Sequence, residues 1–378
     1  LGGFNLTLDL PPTMNLGNAN LSFEALPKTN YAGLQHSHNF QVQEFRRPEF
    51  EVSTAASENT NIIGGHSNVT VTASYYAGGT LNNADVNWEA TATPTNYTPP
   101  NRGDYTFGKW TPWWISFDDH HGFGRYYGSA EESNSVSESF QGKTSPNGTH
   151  NLRIDFDSVN PAQPTSLNVE ARVMDVNRQA WSSSSTLLVH PSNLYVGLRS
   201  EKTFVGKDEP FIIKSIVTDI DGKAIPNINI DLRLARIEYD YDDFGRYKSK
   251  EVDSQVESIK SASDAVEVKF LPKEGGSYKL TATITDEKGR PNETEMTLWV
   301  SGGKTLPERD LKQEQIQLIP DKKDYKVGET AQILVQAPFY PAEGLLTLRQ
   351  LGIVKSERFT IDSPSYIIKV PIEEGYLP

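Results

Sequence analysis

The chain has 378 residues, a formal net charge of −13 at pH 7 and no cysteine. Without cysteine it has no disulfide, no thiolate metal site and no cysteine nucleophile. The negative charge argues against nucleic-acid binding, which depends on clustered lysine and arginine. No apolar run approaches the roughly 18–20 residues that a membrane-spanning helix needs.

Apolar and polar residues alternate along most of the chain, a pattern that predicts strands with one buried face. The clearest runs, in chain order, are 211–217, 228–234, 266–270 and 278–284. Glycine-containing turn signals punctuate the sequence at Gly78-Gly79, Asp221-Gly222, Gly275-Gly276 and Lys288-Gly289. Helical spacing with capping residues is nearly absent. We therefore predict an all-β fold of tandem antiparallel β-sandwiches.

An internal repeat gives this pattern its period. Residues 167–189 align with residues 278–300 at a constant offset of 111 positions, which places Asp175 on Asp286. Each copy reads as a strand, an acidic turn and a second strand. A third copy lies near the start of the chain, where 21–26 is followed by 38–45. The repeat therefore predicts a terminal hairpin that recurs in each domain.

The openings of the repeats also match, since 204–213 and 325–334 each place a glycine turn before an apolar strand. Together these features predict four segments. They are the C-terminal part of one domain at 1–45, a complete domain at 46–190 with an aromatic-rich insertion at about 100–150, a complete domain at 191–303, and the N-terminal part of a further domain at 304–378.

Five stretches of these segments have a distinctive sequence: QVQEFRRPEFEV (41–52), the run at 73–88, YVGLRSEKTFV (195–205), TDIDGKAIPNINI (218–230) and IQLIPDKKDYKVGETAQILVQAPF (316–339). They resemble the macroglobulin domains of bacterial alpha-2-macroglobulins. The last stretch resembles the opening of the family's bait-region domain. The resemblance implies tandem macroglobulin domains of the fibronectin-III or immunoglobulin-like type.

The resemblance also implies a function, that of a broad-spectrum endopeptidase inhibitor without enzymatic activity. In that family a protease cleaves an exposed bait segment, the molecule rearranges, and a thioester from a Cys-Gly-Glu-Gln motif captures the protease. The present sequence has no cysteine and so does not contain that motif. Expected partners are target proteases, through the full-length protein, and neighbouring macroglobulin domains. No cofactor is expected, and the implied location is extracellular or periplasmic, in a bacterial cell envelope.

The alternative hypothesis is a cell-surface adhesin, a stalk of immunoglobulin-like repeats that binds carbohydrate or protein. Its contact patch would be the aromatic cluster of the insertion, which consists of Trp110, Trp113, Trp114, Tyr126 and Tyr127. The competing interpretation of this cluster is that the rings pack on the sandwich. The sequence just beyond residue 378 would separate the two functions, since a bait-like stretch favours the inhibitor.

Two polar clusters are candidates for metal binding. Asp118, Asp119, His120 and His121 combine two carboxylates with two imidazoles and could hold zinc or manganese, the alternative being a polar loop. Residues 219–223 begin like a calcium loop, but they lack the flanking helices and later ligands of an EF-hand, so we predict a hairpin turn there. No catalytic motif is present in the sequence.

Overall fold

The structure is a computed structural model. It describes residues 5–11, 14, 17–25, 35–42, 49–57, 60–110, 112, 135–157, 162–241, 247–302, 316–337, 339–349 and 352–374. These residues form 23 strands and no α-helix, so the prediction of an all-β fold of tandem sandwiches is confirmed. No helix that could span a membrane occurs in this part of the chain.

The chain divides into two compact units, Leu1–Glu51 with Ser74–Thr80 and Val52–Ala73 with Leu81–Pro378. The first unit contains an antiparallel hairpin of β1 (Gly17–Glu24) and β2 (Gln35–Val42). Leu21 and Phe23 of β1 and Phe40 of β2 are half-buried, and they alternate with exposed residues as a two-residue period requires.

Eight strands, most of whose residues belong to the second unit, form what we call the first sandwich. One sheet has the order β4-β10-β9-β6-β7 and the other the order β3-β5-β8. The strands are β3 (Phe50–Ala56), β4 (Asn61–Ile62), β5 (His66–Tyr75), β6 (Asp85–Pro94), β7 (Val136–Lys143), β8 (Thr149–Asp155), β9 (Thr165–Met174) and β10 (Ala180–His190).

The next eight strands form the second sandwich, which repeats the same order strand for strand. Its sheets run β12-β18-β17-β14-β15 and β11-β13-β16. The strands are β11 (Leu194–Ser200), β12 (Phe204–Val205), β13 (Phe211–Asp219), β14 (Asn229–Tyr241), β15 (Tyr247–Lys260), β16 (Val266–Phe270), β17 (Gly276–Thr285) and β18 (Pro291–Val300).

Five further strands, which we call the C-terminal strands, follow the order of the first five long strands of each sandwich. They form the sheets β19-β20-β23 and β21-β22. The strands are β19 (Gln317–Pro320), β20 (Thr330–Gln336), β21 (Ala342–Arg349), β22 (Ile353–Ile361) and β23 (Ser365–Pro371).

The core of the second sandwich lies between its two sheets and is built from alternating residues. Phe211, Ile213 and Val217 of β13 face Ile230 and other apolar residues of the opposite sheet, and all are almost fully buried. Each such side chain contributes about 1.5–3 kcal/mol by leaving water. Burial of one face only explains why the alternation in the sequence predicts these strands.

The acidic turn of the repeat has the same hydrogen bonds in both sandwiches. The backbone N of Asp175 donates to the carbonyl of Gln179, whose own N donates to Asp175 Oδ1 at 2.8 Å. Asp286 and Arg290 repeat this geometry at 3.0 Å for each bond. The predicted turn at 219–223 has it as well, since the N of Lys223 donates to Asp219 Oδ1 at 2.8 Å. That segment is therefore a hairpin turn, as predicted.

The turns at Asp175 and Asp286 differ in what the second oxygen of the aspartate, Oδ2, contacts. Asp286 Oδ2 accepts a hydrogen bond from Ser192 Oγ at 3.0 Å and from Arg290 Nε at 2.7 Å. Burial by itself would raise the pKa of Asp286, but the bonds from Arg290, Ser192 and Lys288 outweigh it and hold the pKa below its usual range. Asp175 Oδ2 is buried without a hydrogen-bond partner among the described residues. Asp286 thus fixes the linker between the sandwiches.

This difference predicts unequal costs for two equivalent substitutions. Asp286→Ala should destabilise the chain by about 3–5 kcal/mol, because it breaks a buried ion pair from one side. Asp175→Ala should cost only about 1 kcal/mol, the value of a single hydrogen bond. Urea unfolding of both variants measures the two losses. Equal losses would contradict the role that we assign to Asp286 in holding the linker.

Candidate functional site: a strap between two sandwiches

Residues 95–110, which we call the strap, connect the first sandwich to the second through side-chain and backbone hydrogen bonds. The strap follows β6 of the first sandwich and has the sequence TNYTPPNRGDYTFGKW. Pro99 and Pro100 lack a backbone N–H and disfavour helix in the residues before them, so this stretch stays extended or in turns. It lies along one side of the second sandwich and contacts it at both ends.

The first end of the strap holds the hairpin turn at 219–223. The Tyr97 hydroxyl donates a hydrogen bond to the carbonyl of Ile220 at 2.8 Å, and Arg102 Nε donates to the carbonyl of Gly222 at 2.9 Å. Gly222 has φ +84°, and a Cβ there would lie 2.1 Å from the carbonyl oxygen of Pro100. Glycine is therefore required by the backbone conformation and by the close approach of the strap.

The other end of the strap pairs with β11, the edge strand of one sheet, and with the part of β18 that β12 leaves unpaired in the other sheet. Thr106 and Leu198 of β11 exchange two backbone hydrogen bonds of 2.8 and 2.9 Å. The N of Glu295, in β18, donates to the carbonyl of Gly108, and the N of Trp110 donates to the carbonyl of Glu295, both at 2.9 Å. The strap thereby satisfies edge groups that an unpaired strand would leave exposed.

Phe107 inserts between these pairings and covers the outer face of β11. It is 4% exposed, and a Cβ at Gly197 would lie 2.6 Å from its ring. Leu194 and Val196 point from the same strand into the core. Strand β11 is consequently buried on both faces, by the core on one side and by the strap on the other.

A group of three aromatic residues, which we call the junction cluster, lies where the strap meets the linker. His190 Nδ1 is 2.7 Å from the Tyr195 hydroxyl, and the ring of Tyr97 meets the imidazole edge-on at 4.8 Å between centroids. Burial lowers the pKa of His190. Burial raises the pKa of Tyr97, and Asp221 and Asp219 add to that effect. All three side chains are therefore neutral near pH 7.

The second sandwich also contacts the C-terminal strands. Phe204 and Trp299 pack with Ile319 and Leu334 in one buried cluster, against which Trp110 of the strap is half-buried. The N of Thr203 donates to the carbonyl of Asp321 at 2.9 Å. A cavity of about 170 Å³ lies beside this contact, lined by residues that include Asp104, Arg199 and Lys322. Arg199 pairs with Asp104, and Lys322 pairs with Glu329.

Most of the candidate residues from the sequence lie outside the described residues. Trp113, Trp114, Tyr126 and Tyr127 do so, as do Asp118, Asp119, His120 and His121. Trp110 is described, and its ring lies 6.0 Å from that of Trp299. Within the described ranges, no three acidic or histidine side chains are grouped so as to hold a metal ion. The metal site and the contact patch stay predictions.

The strap itself was missed by the sequence analysis. One signal for it was available, because Gly197 interrupts an apolar strand pattern, and an isolated glycine in a strand often marks a close approach of another segment. Nothing local to Gly197 identifies Phe107 as the approaching residue.

The chain is similar in sequence to an alpha-2-macroglobulin homolog, although it matches no family model. The chain is 26% identical over 354 residues to the alpha-2-macroglobulin homolog of Nostoc sp., a match that covers 90% of the chain and 17% of that protein. The resemblance to the alpha-2-macroglobulin family is confirmed. The chain is also 23% identical over 448 residues to circularly permutated Ras protein 2 of Dictyostelium discoideum, covering 99% of the chain and 11% of that protein.

Solved alpha-2-macroglobulins are similar in structure at low identity. The native conformation of the Escherichia coli protein matches with a TM-score of 0.48 and 13% identity, over 90% of the chain and 22% of that protein. The Salmonella protein reacted with methylamine matches with a TM-score of 0.47 and 14% identity, over 96% of the chain and 23% of that protein. The chain thus spans less than a quarter of each of these alpha-2-macroglobulins.

The contact between the strap and the 219–223 turn predicts a measurable difference between two glycines. Gly222 and Gly289 have similar positive φ values, +84° and +77°, but no atom lies within 4 Å of a Cβ at Gly289. Gly289→Ala should cost only the backbone strain, about 1–2 kcal/mol. Gly222→Ala should cost about 2 kcal/mol more, since it displaces Pro100 and with it the hydrogen bonds of Tyr97 and Arg102.

Urea unfolding of the two variants provides the comparison, with the rate of proteolytic cleavage within 95–110 as a second measurement. Faster cleavage is expected for Gly222→Ala alone. If both variants lose the same stability and the strap is cleaved at the wild-type rate, the proposed contact does not hold the strap in solution.

Proposed function

We propose that the chain is a structural, non-enzymatic part of a broad-spectrum endopeptidase inhibitor of the alpha-2-macroglobulin type. The observation that carries this proposal is the match to the Nostoc alpha-2-macroglobulin homolog over 90% of the chain. In the proposed mechanism the full-length protein is cleaved at a bait segment and then rearranges around the protease. The domains of this chain contribute part of the surrounding wall.

The contacts between strand groups support a mechanical role. Inter-domain interfaces of modest size normally permit relative motion. Here the strap pairs with β11 and β18 of the second sandwich, and Asp286 holds the linker at Ser192. A wall that must enclose a protease needs such fixed angles between neighbouring domains, and it needs hinges elsewhere.

The proposal includes the domain boundaries, the partners and the location of the protein. The domains are those predicted, at 46–190 and 191–303, with parts of further domains at 1–45 and 304–378. The partners are target proteases, which meet the full-length protein, and neighbouring macroglobulin domains. The location is extracellular or periplasmic, in a bacterial cell envelope.

Inhibition assays test the proposal with two forms of the protein. The isolated chain, mixed at equimolar ratio with an endopeptidase, should change neither the cleavage of a small chromogenic substrate nor that of a large protein substrate. The full-length protein should leave small-substrate cleavage intact and suppress cleavage of the large substrate, because an enclosed protease is reached only by small molecules.

Two outcomes would contradict the proposal. Stoichiometric inhibition by the isolated chain would indicate a direct inhibitor instead of a trap. A full-length protein that leaves both activities unchanged but binds carbohydrate or a host protein would favour the adhesin hypothesis.

A further inference from the structure

His190 lies where three parts of the second unit meet. It is the last residue of β10 in the first sandwich and is 6% exposed. Its Nδ1 contacts the hydroxyl of Tyr195, in β11 of the second sandwich, and its ring contacts Tyr97 of the strap. The carbonyl of His190 accepts a hydrogen bond from the N of Ile63 at 3.0 Å. The imidazole of this first-sandwich residue therefore contacts both the second sandwich and the strap.

The surroundings of this imidazole favour its neutral form. With its proton on Nε2, the neutral ring can accept a hydrogen bond at Nδ1 from the Tyr195 hydroxyl, whose pKa is raised by burial and by Tyr97. No carboxylate of the described residues pairs with His190. The charged groups on the packed elements include Asp219 and Asp221, on the turn that Tyr97 contacts, and Asp286 with Arg290, which form an ion pair beside the linker. A proton on His190 would thus be a buried charge without a counter-ion.

We propose that the junction cluster is an acid-sensitive latch, in which protonation of His190 releases the Tyr97 end of the strap and loosens the angle between the two sandwiches. The proposal rests on the position of the imidazole at a junction and does not depend on protease inhibition. Release of Tyr97 would expose the protonated imidazole of His190 to water, which would solvate its charge.

The sign of the pH dependence follows from linkage. The pKa of His190 is lowered by burial in the closed latch, and it returns towards about 6.5 when the latch opens. The open form then binds more protons than the closed form, so the closed form is favoured above that pH and is lost progressively below it. The pKa of Asp286 lies below its usual range, so that ion pair persists throughout the range from pH 8 to pH 5.

Opening the latch leaves the core of the second sandwich intact. Tyr195 points away from that core, whereas Val196 and Leu198 of the same strand belong to it. The pairing of Thr106 with Leu198 and that of Trp110 with Glu295 involve no member of the junction cluster. Acid is therefore expected to act on one end of the strap only.

Two buried hydroxyls on β13 offer matched probes for this event. Thr218 lies opposite Tyr195 in the β11–β13 pairing and so shares its outer face, and Ser215 lies opposite Leu198 on the core face. Both residues are 0% exposed, and neither hydroxyl has a hydrogen-bond partner among the described residues. Since the chain has no cysteine, Thr218→Cys and Ser215→Cys each introduce a single thiol without removing a hydrogen bond.

The experiment measures thiol labelling of each variant of the 378-residue chain between pH 8 and pH 5. Each rate is divided by that of the same variant unfolded in urea at the same pH, which removes the titration of the thiol itself. Labelling at position 218 should increase by up to about tenfold for each pH unit below about 6.5. Labelling at position 215 should not change, because it requires opening of the core.

A second substitution assigns the effect to the imidazole. His190→Gln keeps a hydrogen-bond acceptor for Tyr195 but takes up no proton, so labelling at position 218 should become independent of pH. His66→Gln, at an exposed histidine, is the matched control and should leave the pH dependence unchanged. The labelling of Ser215→Cys in the His190→Gln background shows whether that variant is folded.

Three results would overturn the proposal. Labelling at 218 that is the same at pH 8 and pH 5 would show that no latch opens. A parallel increase at 215 would indicate acid unfolding of the whole sandwich. A pH dependence that persists in His190→Gln would assign the opening to another group.

Discussion

The backbone pairing between the strap and the second sandwich is the constraint on which the relation of the two sandwiches depends. Strand β11 is an edge strand, and an unpaired edge leaves N–H and C=O groups open to other chains. Thr106 satisfies this edge, and Gly108 and Trp110 do the same for β18 in the opposite sheet. Because the strap follows β6 of the first sandwich, a segment connected to one sandwich covers part of the edge of the other.

The repeat explains how similar domains acquire different roles. Asp175 and Asp286 form the same turn, yet only Asp286 also receives Ser192 and Arg290. The same type of turn therefore only stabilises a hairpin in the first sandwich, whereas in the second it also holds the linker. The strap shows the same principle, since β6 and β14 are equivalent strands and, among the described residues, it is β6 that leads into a segment pairing with the neighbouring sandwich.

Such an arrangement suits the mechanical role that we propose. Each sandwich has a closed apolar core, and the contacts that vary lie between domains, where a few hydrogen bonds and one aromatic cluster set the angle. Interfaces between domains are the places where a multidomain protein can bend, and here the strap and Asp286 restrict that motion. In the proposed trap, such junctions hold neighbouring domains at a defined angle, while hinges elsewhere permit the rearrangement.

The sequence by itself determined the all-β class, the alternation of the strands and the recurrence of the terminal hairpin. Alternating burial is a local property, so 211–217 and 278–284 could be assigned to what the structure shows as β13 and β17. The acidic turns followed from the aspartate that opens each of them, with glycine three residues later at 222 and 289, whereas Arg178 takes that position at φ +61° in the first sandwich. The tertiary structure alone decided that Phe107 covers Gly197, that Trp110 lies on Trp299 and that His190 meets Tyr97. These pairs are distant along the chain, and no local periodicity records which surface an extended segment will cover.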